Sequence, residues 1–94
     1  MAQEVGKVVK VEPVMEGTNE KGDWLIQVFI IMTQGEHTRP VAFRTFNKER
    51  AALIQSLKIG ETVLVDYVPE SREFNGKWFT DLRCTRIMVA ENKA

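Results

Sequence analysis

The sequence is short of the residues on which most site chemistry depends. Of its 94 residues one is cysteine and one histidine, three are proline, and 13 basic residues balance 13 acidic ones. A single cysteine, Cys84, excludes an intrachain disulfide. Its place among the strand-type residues Leu82, Arg83 and Thr85 marks a small core side chain rather than a reactive thiol. The one histidine, His37, stands alone after Gly35 and Glu36 in a turn, where no metal or catalytic role is expected of it. No histidine–carboxylate–nucleophile set, metal-ligand cluster or phosphate-binding glycine loop can be assembled, and Glu70 and Glu73 merely flank Arg72 in a loop. The chain is therefore expected to be no enzyme and to use no cofactor and no metal. Zero net charge excludes wrapping of nucleic acid by bulk positive charge, so any phosphate binding must come from local clustering. No apolar run approaches the ~20 residues of a membrane-spanning helix. The opening MAQEVGKVVKV lacks the apolar core of a secretion signal. A soluble cytoplasmic protein is the expectation.

What the chain does have is an apolar share of 44%, ordinary for a folded protein, in a length that makes one domain. That domain is expected over residues 1–90, with a short polar tail at 91–94. The most informative stretch runs from Gly60 to Ile87. Thr62 to Val68 alternates and is rich in β-branched residues, as a half-buried strand is. Pro69, which has no N–H for a ladder, is expected to end it. Asn75-Gly76 is a strong hairpin signal, and Lys77 to Val89 runs extended again. Around that turn stand Arg72, Phe74, Lys77, Trp78 and Phe79.

Upstream, Glu4 to Val14 alternates imperfectly. Val8 breaks the parity, which points to a bulge or coil in a first strand. Glu16 to Asp23 is polar, contains two glycines, and is expected to be a loop. Trp24 to Thr33 is a second strand, apolar on both faces. Trp24, Ile26, Val28, Ile30 and Met32 share one face; Leu25, Phe29 and Ile31 share the other, with Gln27 the one interruption. Arg39 to Phe46 is a third strand, with Val41 and Phe43 on one face and Ala42 and Arg44 on the other. Asn47 can cap a helix over Lys48 to Leu57, whose apolar stripe is expected to be Leu53, Ile54 and Leu57 and whose stop is Gly60.

The order β-β-β-α-β-β predicts an all-β protein: a five-stranded OB-fold barrel with one helix between strands three and four. In such barrels strands two and three, with the loops between strands one and two and between strands four and five, bind oligonucleotides or oligosaccharides.

Several local patterns resemble the bacterial single-stranded DNA-binding protein family over nearly the full length. Phe46-Asn47-Lys48 resembles that family's Phe-Gly-Lys. Gly60, Val63 and Val65 fit its Gly-x-x-Val-x-Val strand. Ser71-Arg72-Glu73-Phe74 resembles its Thr-Arg-x-aromatic, and Phe79-Thr80 its aromatic-Thr. The segment Ser71 to Trp78 also resembles small uncharacterised OB-fold proteins, mostly of Bacteroidetes. The resemblance implies base stacking on Phe46 and Phe74, a phosphate contact from Lys48, single-stranded DNA (or RNA) as partner, a homodimer or homotetramer, and a part in DNA replication or repair. The chain departs from that family at Pro40, where a tryptophan is usual. It departs also at residues 34–38, a shortened connection, and in carrying no acidic recruiting tail.

Single strands are held by cations along a groove and by flat aromatics that stack on bases. Phe46, Phe74, Trp78 and Trp24 are the candidate aromatics; Lys48, Arg44, Arg72, Lys77 and Arg83 are the candidate phosphate contacts. Each has a plainer alternative. Phe46 can staple the helix start, and one of the adjacent pair Trp78 and Phe79 is expected to be core, because neighbours on a strand point oppositely. Arg72 and Lys77 can simply solubilise a hairpin. A second function class also stands: an interaction module assembling through Ile26, Val28, Ile30 and Met32, a set too apolar for a solvent-facing surface.

Overall fold

The computed structural model describes residues 2–90; the polar tail expected at 91–94 lies outside them. The elements are β1 (Ala2–Val11), β2 (Met15–Asn19), β3 (Gly22–Thr33), β4 (Pro40–Thr45), α1 (Lys48–Gln55), β5 (Thr62–Phe74) and β6 (Lys77–Val89). Neighbouring strands follow the order β1-β5-β6-β4-β3-β2, and β1 pairs with β3 as well as β5. That double pairing closes β1, β3, β4, β5 and β6 into a barrel. The protein is thus an all-β OB-fold, with α1 between the third and fourth barrel strands.

Closure depends on a corner in β1. Its register against β3 shifts between Val8 and Lys10, leaving Val9 as the extra residue. Val8 is wholly buried while Val9 is exposed. The parity break in the sequence is this bulge, which bends the strand so that one end serves β5 and the other β3. Inside, period-2 alternation fills the core with Val8, Phe29, Ile31, Phe43, Val63, Val65 and Cys84. Phe43 stands between Phe29 and Tyr67, with ring centroids 5.5 Å and 5.1 Å away. Burial pushes the Cys84 thiol up to about 11, in keeping with a core residue rather than a nucleophile.

α1 closes one end of the barrel. Asn47 caps it, its Oδ1 accepting the Arg50 N–H at 2.9 Å. The buried stripe is Ala51, Ile54 and Leu57 rather than the expected Leu53, Ile54 and Leu57; Leu53 is exposed. The helix ends at Gln55, so Leu57 reaches the core from the turn beyond it. Gln27 explains itself beneath the helix. Its Nε2 donates to the Glu12 carbonyl at 2.6 Å and its Oε1 accepts from Gln55 at 3.0 Å, so this buried amide is satisfied on both sides.

Two connections differ from expectation. Residues 16–23 are a hairpin, not a loop: β2 pairs with the start of β3 from Met15↔Ile26 to Asn19↔Gly22. This arm leaves the barrel, so both its faces meet water, and polarity there is compatible with strand. The Thr18 hydroxyl donates to Asp23 at 2.9 Å, and Asn19 Oδ1 accepts the Lys21 N–H at the turn. The described residues thereby form six strands, five of them in the barrel. Pro69 likewise does not end its strand; β5 continues to Phe74, with Pro69 opposite Leu82. Among the described residues the β1–β5 ladder runs no further than Tyr67, so Pro69 lies where β5 is an edge strand and a proline is tolerated. The result is a second, longer arm, turned by Asn75 (φ 53°) and Gly76 (φ 77°). The molecule measures 49 Å against 29 and 22 Å.

Candidate nucleic-acid interface

The two arms and the end of β4 frame the candidate surface. On β5–β6, Glu70, Arg72 and Phe74 stand opposite Asp81, Phe79 and Lys77. With side chains alternating along each strand, these six and Arg83 share one face of the long arm. Ser71, Glu73, Trp78 and Thr80 share the other, where the Ser71 and Thr80 hydroxyls meet at 3.0 Å.

Three clefts lie between and along the arms. One, of about 480 Å³, lies where the β2–β3 arm approaches the start of α1 and is lined by Trp24, Phe46 and Lys48 among others. A second, of about 190 Å³, holds Ile26, Arg44, Phe46, Arg72 and Arg83. A third, of about 410 Å³, is lined by Arg72, Glu73, Phe74 and Phe79 on the long arm. Phe46 lines the first two and Arg72 the last two, so neighbouring clefts adjoin at these side chains. Trp24, Phe46, Phe74 and Phe79 are all exposed along them.

The structure thus brings together Trp24, Phe46, Phe74, Lys48, Arg44, Arg72 and Arg83, and places Lys77 on the same face at the arm's tip. It does not bring Trp78 to them. Trp78 is exposed on the opposite face of the arm, and Phe79 is exposed on the cleft side. The expectation that one of this pair is core is overturned, because the strand segment carrying both lies beyond the barrel wall. Phe46, beside the helix start, is half open to solvent.

The cations divide into two groups. Arg44 Nη2 meets Asp81 Oδ1 at 3.2 Å, and Arg83 Nε meets Glu70 Oε1 at 2.7 Å. Lys48, Arg72 and Lys77 are exposed and enter no ion pair among the described residues. Sequence reasoning missed the masking acids Glu70 and Asp81, since these pairings cross between strands. It also missed Gly17. A Cβ there would sit 2.7 Å from the Trp24 ring, so the indole lies directly on the glycine backbone opposite it. Only a register for β2 against β3 could have revealed that contact. Arg50 stitches the seam beside the clefts, its Nη1 donating to Thr45 Oγ1 at 3.1 Å and to the Cys84 carbonyl at 3.4 Å. Backbone pairing between β4 and β6 there is the single parallel match Arg44↔Arg83.

The outer face of β3 adjoins these clefts and shares Ile26 with the second. Ile26, Val28, Ile30 and Met32 are each half-buried. The register adds Met15 beside Ile26, Ala42 beside Ile30 and Pro40 beside Met32. Among the described residues no three His, Cys, Asp or Glu side chains gather as a metal site.

No curated protein matches the chain by sequence. Solved structures do match in fold. The mitochondrial single-stranded DNA-binding protein of S. cerevisiae is similar at TM-score 0.74 and 17% identity, over 98% of this chain and 96% of that one. The N-terminal domain of PriB from Thermoanaerobacter tencongensis, a dimeric structure, gives TM-score 0.66 and 19% identity over 97% and 96%. A small single-stranded DNA-binding protein from Streptomyces coelicolor gives 0.58 and 15% over 95% and 90%. At these identities the likeness establishes the OB-fold. Residues 4–88 match the family described as domain of unknown function DUF3127, and the chain belongs to that family.

Proposed function

We propose that this protein is a non-enzymatic binder of single-stranded nucleic acid, DNA before RNA, that stacks bases on Phe46, Trp24 and Phe74 and holds phosphates with Lys48, Arg72 and Lys77. The observation that carries this is the set of three adjoining clefts, in which Phe46 and Arg72 each line two. Exposed aromatic rings and cations both line these clefts. That is the arrangement a flexible polyanion with flat bases needs, and it explains how a chain of zero net charge can still bind one. The names of the similar yeast and Streptomyces proteins support the same reading.

The test is tryptophan fluorescence on adding a mixed-sequence DNA oligonucleotide of ~15 nucleotides, within the span an OB-fold covers. Quenching at low salt that fades at high salt is the expected result. No quenching and no gel shift at low salt, with protein at about the weak-binding range of tens of micromolar, would overturn the proposal.

A second reading rests on the adjoining surface, which shares Ile26 with the central cleft. The apolar outer face of β3, continued by Met15, Ala42 and Pro40, fits self-association into a homodimer or higher homo-oligomer. The dimeric state in the description of the PriB domain supports it. The two readings concern adjoining surfaces and are compatible.

A further inference from the structure

We propose that Arg50 is a positioning residue of the interface: it touches no nucleic acid itself and holds Phe46 where a base can stack. The inference rests on the single-strand-binding reading and adds to it the residue that sets its central platform. Phe46 lines two of the three clefts, so its placement governs both.

Phe46 stands just past the last residue of β4, where the sheet stops holding the chain. The Thr33 N–H donates to the Arg39 carbonyl, and the β3–β4 ladder alternates from there. Val41, Phe43 and Thr45 therefore turn their backbone groups toward β3, and Arg44 turns its own toward β6. In a parallel ladder continued past Arg44↔Arg83, the next donor to the Cys84 carbonyl would be the Phe46 N–H. The ladder ends before that bond. Arg50 Nη1 reaches the Cys84 carbonyl instead, at 3.4 Å. A guanidinium from α1 thus takes the place of the next rung, and Phe46 leaves the sheet.

The same residue fixes the turn that carries Phe46. Arg50 Nη1 also donates to Thr45 Oγ1 at 3.1 Å, and that hydroxyl accepts the Asn47 N–H at 3.3 Å. The Arg50 N–H donates to Asn47 Oδ1 at 2.9 Å. The residues on both sides of Phe46 are therefore tied to Arg50. Thr45 is wholly buried while Phe46 is exposed, so the anchor lies inside the barrel end and the ring outside it. A ring held through its neighbours in this way loses little freedom when a base arrives. Stability alone does not call for the arrangement. Arg50 is half-buried and enters no ion pair among the described residues. Drawing an unpaired cation part-way out of water works against folding, whereas its bonds are directed at the turn and the seam.

The experiment is a double-mutant cycle between Arg50 and Phe46, read by affinity for a mixed-sequence DNA oligonucleotide of ~15 nucleotides at several salt concentrations. Arg50→Met keeps most of the bulk and removes the donors. It is expected to weaken binding about three- to tenfold, part of one stacking contact, with the salt slope unchanged because no phosphate contact is lost. In a Phe46→Ala protein the same change is expected to alter affinity by less than about twofold, since no ring is left to misplace. A general loss of stability acts alike in both backgrounds and cannot produce that difference. Should Arg50→Met fail to fold, Thr45→Val removes the hydroxyl that Arg50 holds and is read in the same cycle. A fall of about 0.7 in the salt slope would place Arg50 itself on phosphate and overturn the positioning role. Equal losses in the two backgrounds, or no loss in either, would overturn it as well while leaving single-strand binding intact. Wild-type protein that binds no oligonucleotide at low salt would remove the positioning role together with the reading beneath it.

Discussion

Arg44 and Arg83 lie side by side across the seam between β4 and β6, and each is held by a carboxylate at the root of the long arm. The two acids, Asp81 and Glu70, are themselves opposite one another in the β5–β6 ladder. Two like pairs are thus arranged as a square of alternating contacts, which stabilises a seam that backbone hydrogen bonds alone join weakly. The same contacts occupy two of the three arginines in the central cleft.

Freeing those arginines should therefore strengthen nucleic-acid binding. Glu70→Gln leaves Arg83 without its carboxylate in an exposed setting, where an ion pair is worth ~1 kcal/mol or less to stability. A several-fold gain in affinity for a single strand at low salt is expected, with a steeper salt dependence, since one more phosphate contact adds about 0.7 to the slope for single strands. Titrations at several salt concentrations measure both. An unchanged slope would mean that Arg83 does not reach the backbone.

The exposed and buried aromatics should separate cleanly. Phe46→Ala and Trp24→Ala each remove a stacking platform, worth ~1–3 kcal/mol of binding, while the melting temperature moves little. Phe43→Ala, in the core between Phe29 and Tyr67, should cost ~3–5 kcal/mol of stability. Trp78 faces away from the clefts, so Trp78→Phe should leave affinity near wild type and allow Trp24 alone to report quenching.

Lys48, Arg72 and Lys77 should lower the salt slope when replaced by alanine. The expected loss is about 0.7 for each residue that neutralises a phosphate, with base preference unchanged. Loss of affinity without any change of slope would identify a cation acting through the fold rather than through phosphate.

Cys84 supplies a pH prediction. Its thiol pKa is raised from 9.0 in the unfolded chain to about 11 by burial. Between those values the folded protein keeps a proton that the unfolded chain releases. Stability is thus undiminished below pH 9.0 and falls as pH rises toward about 11. Denaturant midpoints for wild type and Cys84→Ala across this range isolate the effect from other titrating groups: the wild type should lose stability more steeply. A thiol reagent should label Cys84 only as fast as the protein opens.

Much of this architecture is legible locally. The Asn47 cap, the Asn75-Gly76 turn and the Val8 parity break are each settled by neighbours in sequence, and each is present in the fold. What escaped was set by partners distant in the chain. Glu16 to Asp23 looked like a loop because a two-stranded arm outside the barrel has no buried face to imprint a pattern. Pro69 looked like a terminator because its strand's lack of a β1 neighbour there is a tertiary fact. Leu53 looked core-facing on its residue type, yet the stripe that meets the barrel is Ala51, Ile54 and Leu57. The candidate aromatics were visible, but their sorting onto the two faces of an arm required the β5–β6 register. The masking carboxylates required it as well.

The outer face of β3 gives the last prediction. Ile30 and Met32 are half-exposed on it, with Ala42 and Pro40 beside them on β4. Burial of such a stripe against a second copy would be favourable by about 25 cal/mol per Å² of apolar surface before the costs of association. Ile30→Lys with Met32→Lys places two charges there without touching the core, since Phe29 and Ile31 point the other way. If copies associate through this face, the variant should sediment as a monomer while wild type does not, and its melting temperature should become independent of concentration. Equal masses for the two proteins would show that the face is not an interface. Nucleic-acid binding measured on the monomeric variant would then show whether the clefts need a second copy. Their residues all come from one chain, so full binding per protomer is expected, with only the avidity of linked sites lost.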